Sequence, residues 1–168
     1  MTITFPSWWS SSPVVNQHLH KIEDVGIALF NSLLDGVHCV YWLDTDEQTQ
    51  QVIFNEGEAY LRIVRLGGEV DLEENVSLHR VQFAALTDRR NMSWDILAFV
   101  QHVLYAYEDT SYVLMPNGAK VALRFRGERL GPLLDPQQIR DARLVPVTVE
   151  LETPIPKGLP NIRQVLGL

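Results

Sequence analysis

Hydrophobic and polar positions change period once near the middle of the chain, and that change marks its organising unit. In SLHRVQFAALT, residues 77–87, Val81, Phe83 and Ala85 alternate with Arg80, Gln82 and Ala84, the pattern of a strand buried on one side. Thr87 or Asp88 can then cap a helix running to about Tyr107. At about 100° per residue, Ile96, Leu97, Val100, Val103, Leu104 and Tyr107 share one arc, with Asp95 and His102 opposite. That arc is the expected core face. Trp94 and Tyr105 fall on its shoulder with Ala98 and Gln101, where they either close the core edge or form a second contact surface.

The flanks extend this unit. MTITFPSWWSSS has no period and reads as an irregular arm, with Trp8 and Trp9 either docked on their own domain or reaching a neighbouring subunit. Ser12-Pro13 is a helix start. From there Val15, Leu19, Ile22, Val25, Leu29 and Leu33 recur at spacings of three and four until Asp35-Gly36 supplies the stop. VHCVYWL, residues 37–43, has strand composition and leads into the acidic connection DTDEQTQQ. Tyr60 to Leu66 alternates and breaks at Gly67-Gly68, and Glu69, Asp71, Glu73 and Glu74 then mark a solvated hairpin tip. Tyr112 to Met115 turns at Pro116-Asn117-Gly118 into Lys120 to Arg126, with Val121, Leu123 and Phe125 on one face. Residues 127–143 read as a long loop. In Arg143 to Thr153, Val145, Val147, Val149 and Leu151 alternate with Leu144, Pro146, Thr148, Glu150 and Glu152, and Pro146 places the strand at an edge or a bulge.

The expected architecture is α+β, a mainly antiparallel β-sheet of about five or six strands with two main α-helices packed on one face. Arg62, Arg80, Gln82, Arg124 and Arg126 all point away from those helices. The expected division is an irregular arm over 1–12, a single domain over 13–153 and a proline-rich tail over 154–168.

At 168 residues the chain suits one domain, long enough to bury roughly 70% of its unfolded surface without staples. Its 46% hydrophobic and 21% charged residues are those of an ordinary globular protein. With no apolar run of about 18 residues and no signal-peptide order at the N-terminus, the expectation is a protein that stays in the cytoplasm where it is made. The single cysteine, Cys39, excludes an internal disulfide and suits a small buried hydrophobe. A net charge of −7 argues against gripping nucleic acid. It does not argue against DNA passing nearby, since an acidic wall would repel phosphates over about 8 Å at physiological salt and keep DNA from sticking.

Catalytic and ligand chemistry is sparse. His18 and His20 stand two apart, about 200° around a helix, and cannot share one metal. His38 and His79 lie in different strand patterns and His102 on a polar helix stripe. Asp44 and Asp46 have calcium-loop spacing, but Thr49 stands where that loop needs glycine and Asn55 where it needs glutamate. There is no phosphate-binding glycine loop, nucleophile elbow or paired-cysteine motif. The expectation is a protein that is not an enzyme and holds no cofactor or metal.

Taken in order, the amphipathic helix, LRIVRLGG with its double glycine, RVQFAALT entering a helix that reads SWDILAFV, and GPLLDP before VPVTVEL resemble the tail terminators of long-tailed, siphovirus-type bacteriophages. The likeness runs from about Val14 to Thr153. It implies a virion structural protein assembled in the host cytoplasm and placed at the head-tail junction. It further implies a ring, commonly a homohexamer, that caps the tail tube, ends its polymerisation and meets the head-completion or connector proteins, with DNA passing through the lumen and no membrane contact. On that reading Arg62, Arg80, Arg124, Arg126, Trp94, Tyr105, Trp8 and Trp9 are expected at subunit or tube contacts, and Glu69, Asp71, Glu73 and Glu74 at the lumen or a docking rim. Another neck ring protein, such as a tail-completion or head-closure protein, and a small ligand-binding or enzymatic α+β domain are the alternatives.

Overall fold

The structure is a computed structural model that describes residues 19–48, 52–53, 55–131 and 144–157. The described elements are α1 (Ile22–Asn31), β1 (Val37–Val40), β2 (Ala59–Asp71), β3 (Val76–Leu86), α2 (Arg90–Tyr105), β4 (Ser111–Leu114), β5 (Lys120–Leu130) and β6 (Val145–Pro154). The strands form one six-stranded sheet in the order β1-β2-β3-β6-β5-β4. The sheet is mixed: β1 runs parallel to β2, and the other pairings are antiparallel. A period of two places side chains on faces but says nothing about the direction of the neighbouring strand. A parallel pair needs a crossover, and the chain between Val40 and Ala59 supplies it.

Inward residues of β2, β3, β5 and β6 build one core with both helices. Phe30 of α1 meets Phe83 of β3 edge-on, with ring centroids 5.5 Å apart. The helix can come this close because Gly26 has no side chain. A Cβ there would lie 3.0 Å from Ile63 Cγ2. α1 touches both edge strands, β1 and β4, so the sheet curls around it. In α2, Leu97, Val100 and Leu104 are buried, and Ile96, Val103 and Tyr107 pack against the same core. Cys39 packs against it too, and burial pushes its thiol up to about 11.

A smaller apolar cluster lies on the opposite face, where Leu43, Ala84, Leu86 and Leu144 are buried with Val40, Val52 and Tyr60 around them. The acidic connection is therefore only partly solvated, because its ends carry Leu43 and Val52 onto the sheet. This ends β1 at Val40, three residues short of the expected strand.

Other boundaries differ for local reasons. α1 begins at Ile22, with Lys21 before it in extended conformation, so Leu19 is exposed and outside the helix, and Leu33 is exposed beyond its end. α2 begins at Arg90 rather than at a Thr87 or Asp88 cap. Thr87 and Ser93 instead clasp each other, as Thr87 N–H donates to Ser93 Oγ at 3.0 Å and Thr87 Oγ1 donates to the Arg89 carbonyl at 2.6 Å. Gly67-Gly68 does not end β2. It makes a register shift between Arg65 and Gly67, and the strand continues to Asp71. Only glycine fits at 68, where φ is +143° and a Cβ would sit 2.0 Å from the Leu78 carbonyl oxygen. β5 likewise runs on to Leu130 through two register shifts. β6 is an inner strand, but Pro146 pairs only with Ala84 of β3, because the β5 pairing stops at Thr148.

At the hairpin end of the core His79 is buried, with Nε2 2.9 Å from Thr153 Oγ1 and Nδ1 lacking a partner. Burial, with smaller contributions from Arg65 and His20, lowers its pKa to about 4. An unfolded histidine titrates near 6.5, so in between the unfolded chain takes up a proton that the folded chain refuses. The stability contributed by the neutral ring is full above about pH 6.5 and is lost as the pH falls towards 4. In urea unfolding followed from pH 7 to 4, His79→Gln is expected to lose stability less steeply than the parent. Phe83→Ala removes a fully buried ring and should cost about 3–5 kcal/mol. A loss below about 1 kcal/mol would contradict this account of the core.

Candidate assembly interface

The surface that the core leaves outside is chiefly the sheet face away from the main core. Its composition follows from the two bulged strands. Ahead of its bulge, β2 sets Arg65 opposite Val81 on the core side. Past it, Glu69 stands opposite Leu78 and Asp71 opposite Val76, which brings both acids to the outer face. A one-residue slip inverts a strand's faces, so without the bulge these carboxylates would point the other way.

Across that face the charges alternate by strand. Glu69 and Asp71 stand on β2, Arg80 on β3, Glu150 and Glu152 on β6, and Arg124, Arg126 and Arg129 on β5. Arg129 binds Glu150 through two nitrogens at 2.8 and 3.0 Å, and Arg126 lies 3.4 Å from Glu152. The bonds from Arg129, helped by the charges of Arg126 and Arg80, hold the Glu150 carboxyl below its usual range. Arg80 pairs in register with Glu150, and Arg124 Nε donates to the Glu108 carbonyl at 3.2 Å. The expected row of arginines is thus interleaved with acids. Glu150 and Glu152 already alternate with Val149 and Leu151 in the sequence, but only the strand order sets them between β3 and β5.

Arg62 differs from the others. It is half-buried, its Nη2 donates to Gln82 Oε1 at 2.5 Å, and its Nε is buried without an acceptor. Burial lowers its pKa. No carboxylate lies within 4 Å of it among the described residues.

The aromatic shoulder of α2 divides between its two readings. Tyr105 packs edge-on against Phe125, with centroids 5.2 Å apart, and still leaves 54% of its surface exposed. Trp94 is 38% exposed. Between them Gln101 donates to Glu128 Oε2 at 2.7 Å, tying the helix to β5. Trp8 and Trp9 lie outside the described residues. Exposed apolar residues that periodicity did not single out are Trp42, Leu72, Tyr112, Leu114 and Leu130. Tyr112 and Leu114 stand on edge strand β4.

Glu69, Glu73 and Glu74 are exposed at or near the tip of the β2–β3 hairpin. Asp71 shapes that tip, accepting from the N–H groups of Glu73 and Glu74 at 2.9 and 3.0 Å. A cleft beside the bulge is lined by Gly68, Glu69, Leu78, His79, Arg80 and Glu150. Among the described residues no group of three or more His, Cys, Asp or Glu could hold a metal ion, and no helix is long and apolar enough to cross a membrane.

A family profile described as phage tail termination protein matches residues 18–160. No curated protein matches the chain.

The paired arginines are exposed, and surface ion pairs contribute little. Arg126→Ala and Arg129→Ala should each change the free energy of unfolding by less than about 1 kcal/mol in urea titrations. A larger loss would mean that these pairs hold the subunit itself together and are not available as a contact surface.

Proposed function

The chain belongs to the phage tail termination protein family, and from that premise we propose that it forms a ring, with six copies expected, that caps the completed tail tube. Family membership makes it a structural protein of the virion tail with tail-associated partners. In the proposed role it ends tube polymerisation in a long-tailed phage and offers its other surface to the head-completion or connector proteins at the head-tail junction. The family match over residues 18–160 carries this reading.

Physical features support it. Closed rings need contacts between unlike patches, and the described residues leave the outer edges of β1 and β4 without a further strand, beside a charged outer face and a hairpin tip. Six copies at −7 each suit a channel that DNA crosses without adhering. Arg62, Arg80, Arg124, Arg126, Trp94 and Tyr105 are assigned to subunit or tube contacts, with Trp8 and Trp9 on an arm over residues 1–12. Glu69, Asp71, Glu73 and Glu74 are assigned to the lumen or a docking rim. The domain proper is taken as 13–153, with 154–168 as a tail available to a neighbour.

Electron microscopy of tails assembled without this protein tests the proposal. Tubes of uncontrolled length, or tails that never join heads, are expected, and adding the purified protein should restore both. Tails of normal length joined to heads in its absence would refute it.

A further inference from the structure

Taking the ring reading as its basis, we propose that the tip of the β2–β3 hairpin in one copy docks on the outer sheet face of the next copy, around Arg62. Among the described residues the sheet carries charges at its two ends that have no opposite charge within 4 Å. Most of the outer-face arginines already have partners, Arg129 on Glu150, Arg126 on Glu152 and Arg124 on the Glu108 carbonyl. Among the described residues Arg62 has only Gln82, and its buried Nε has no acceptor. A half-buried guanidinium left this way is a site for a carboxylate, which can take two of its N–H groups at once.

The unmatched acids are at the other end. Glu69, Glu73 and Glu74 form no ion pair among the described residues. Eight residues of β2 lie between Arg62 and Asp71, roughly 30 Å of strand, so the acids at the tip of one copy cannot reach its own arginine. A head-to-tail contact between copies satisfies both ends, and that heterologous geometry is what a ring requires.

The hairpin is also built to be inserted. The two bonds to the Asp71 carboxylate fix the turn, so its ordering is complete before contact. The turn holds Leu72 at the apex with 76% of its surface in solvent. On the receiving side Trp42 is 71% exposed and directly precedes Leu43, which packs on the same outer face. A tryptophan and an arginine beside a receiving surface are the residue types that dominate protein contacts.

Self-association of the full chain, measured by sedimentation alone and on purified tail tubes, tests this. Arg62→Glu, and separately Glu73→Arg with Glu74→Arg, should each weaken association about tenfold or more, and combining them should restore most of it. Leu72→Ser, at an exposed position that folding does not use, should weaken it without lowering the melting temperature. The proposal is overturned if the charge variants associate normally, if the combination fails to rescue, or if the parent associates in neither setting. It is also overturned if only tube binding weakens, because an acidic segment of the tube protein would then occupy this face. Variants that lose self-association as predicted but still give tails of regulated length would leave the interface standing and remove the ring as the means of ending the tube.

Discussion

The subunit depends on covering one ring. Phe83 sits at the middle of the inner strand β3 with no exposure, and Phe30 must reach it from α1. That contact sets the helix down on β2 and β3, and Gly26 leaves space for it beside Ile63. A helix seated so deeply draws the sheet around itself until it touches both edge strands. Close packing of this kind leaves little freedom for the face beneath, because moving the helix would open a void against several strands together.

The same constraint produces the outer surface. With the odd-numbered positions of β3 from 77 to 85 committed to the interior, most of the strand charges lie on the other side. The bulge in β2 then transfers Glu69 and Asp71 to that side. Past the bulge the sign alternates from strand to strand, and most of these charges have a hydrogen-bond or ion-pair partner within the subunit. Such a surface is only weakly attractive to ions at long range, so its selectivity has to come from the few groups left unanswered. Arg62 and the hairpin acids are among those groups, and they stand towards opposite ends of one strand.

Periodicity reads well wherever one face of an element is buried and the other is wet. The inward sets of β3, β5 and β6 and the core arc of α2 were legible in this way, because alternate residues of a strand and every third or fourth of a helix share a face. Pattern reading failed where two apolar surfaces coexist. Ala84 looked like an outward position and is buried, since Leu43, Leu86 and Leu144 meet it there. It failed again at Gly67-Gly68, where two glycines suit a turn and a bulge equally, and the pairing with β3 chose the bulge. The Thr87–Ser93 clasp shows the same limit on a smaller scale, since several nearby side chains could have started α2.

What the amino-acid order determined alone was the kind of most elements, the inward face of most of them, the acidic balance and the family, because these rest on local spacing and composition. Tertiary structure decided the direction of β1, the extension of β2 and β5 through their bulges, and which arginines meet which acids. Those outcomes depend on which strands become neighbours. Residues such as Arg126 and Glu152 are far apart in the chain and acquire a relation only when β5 is laid against β6.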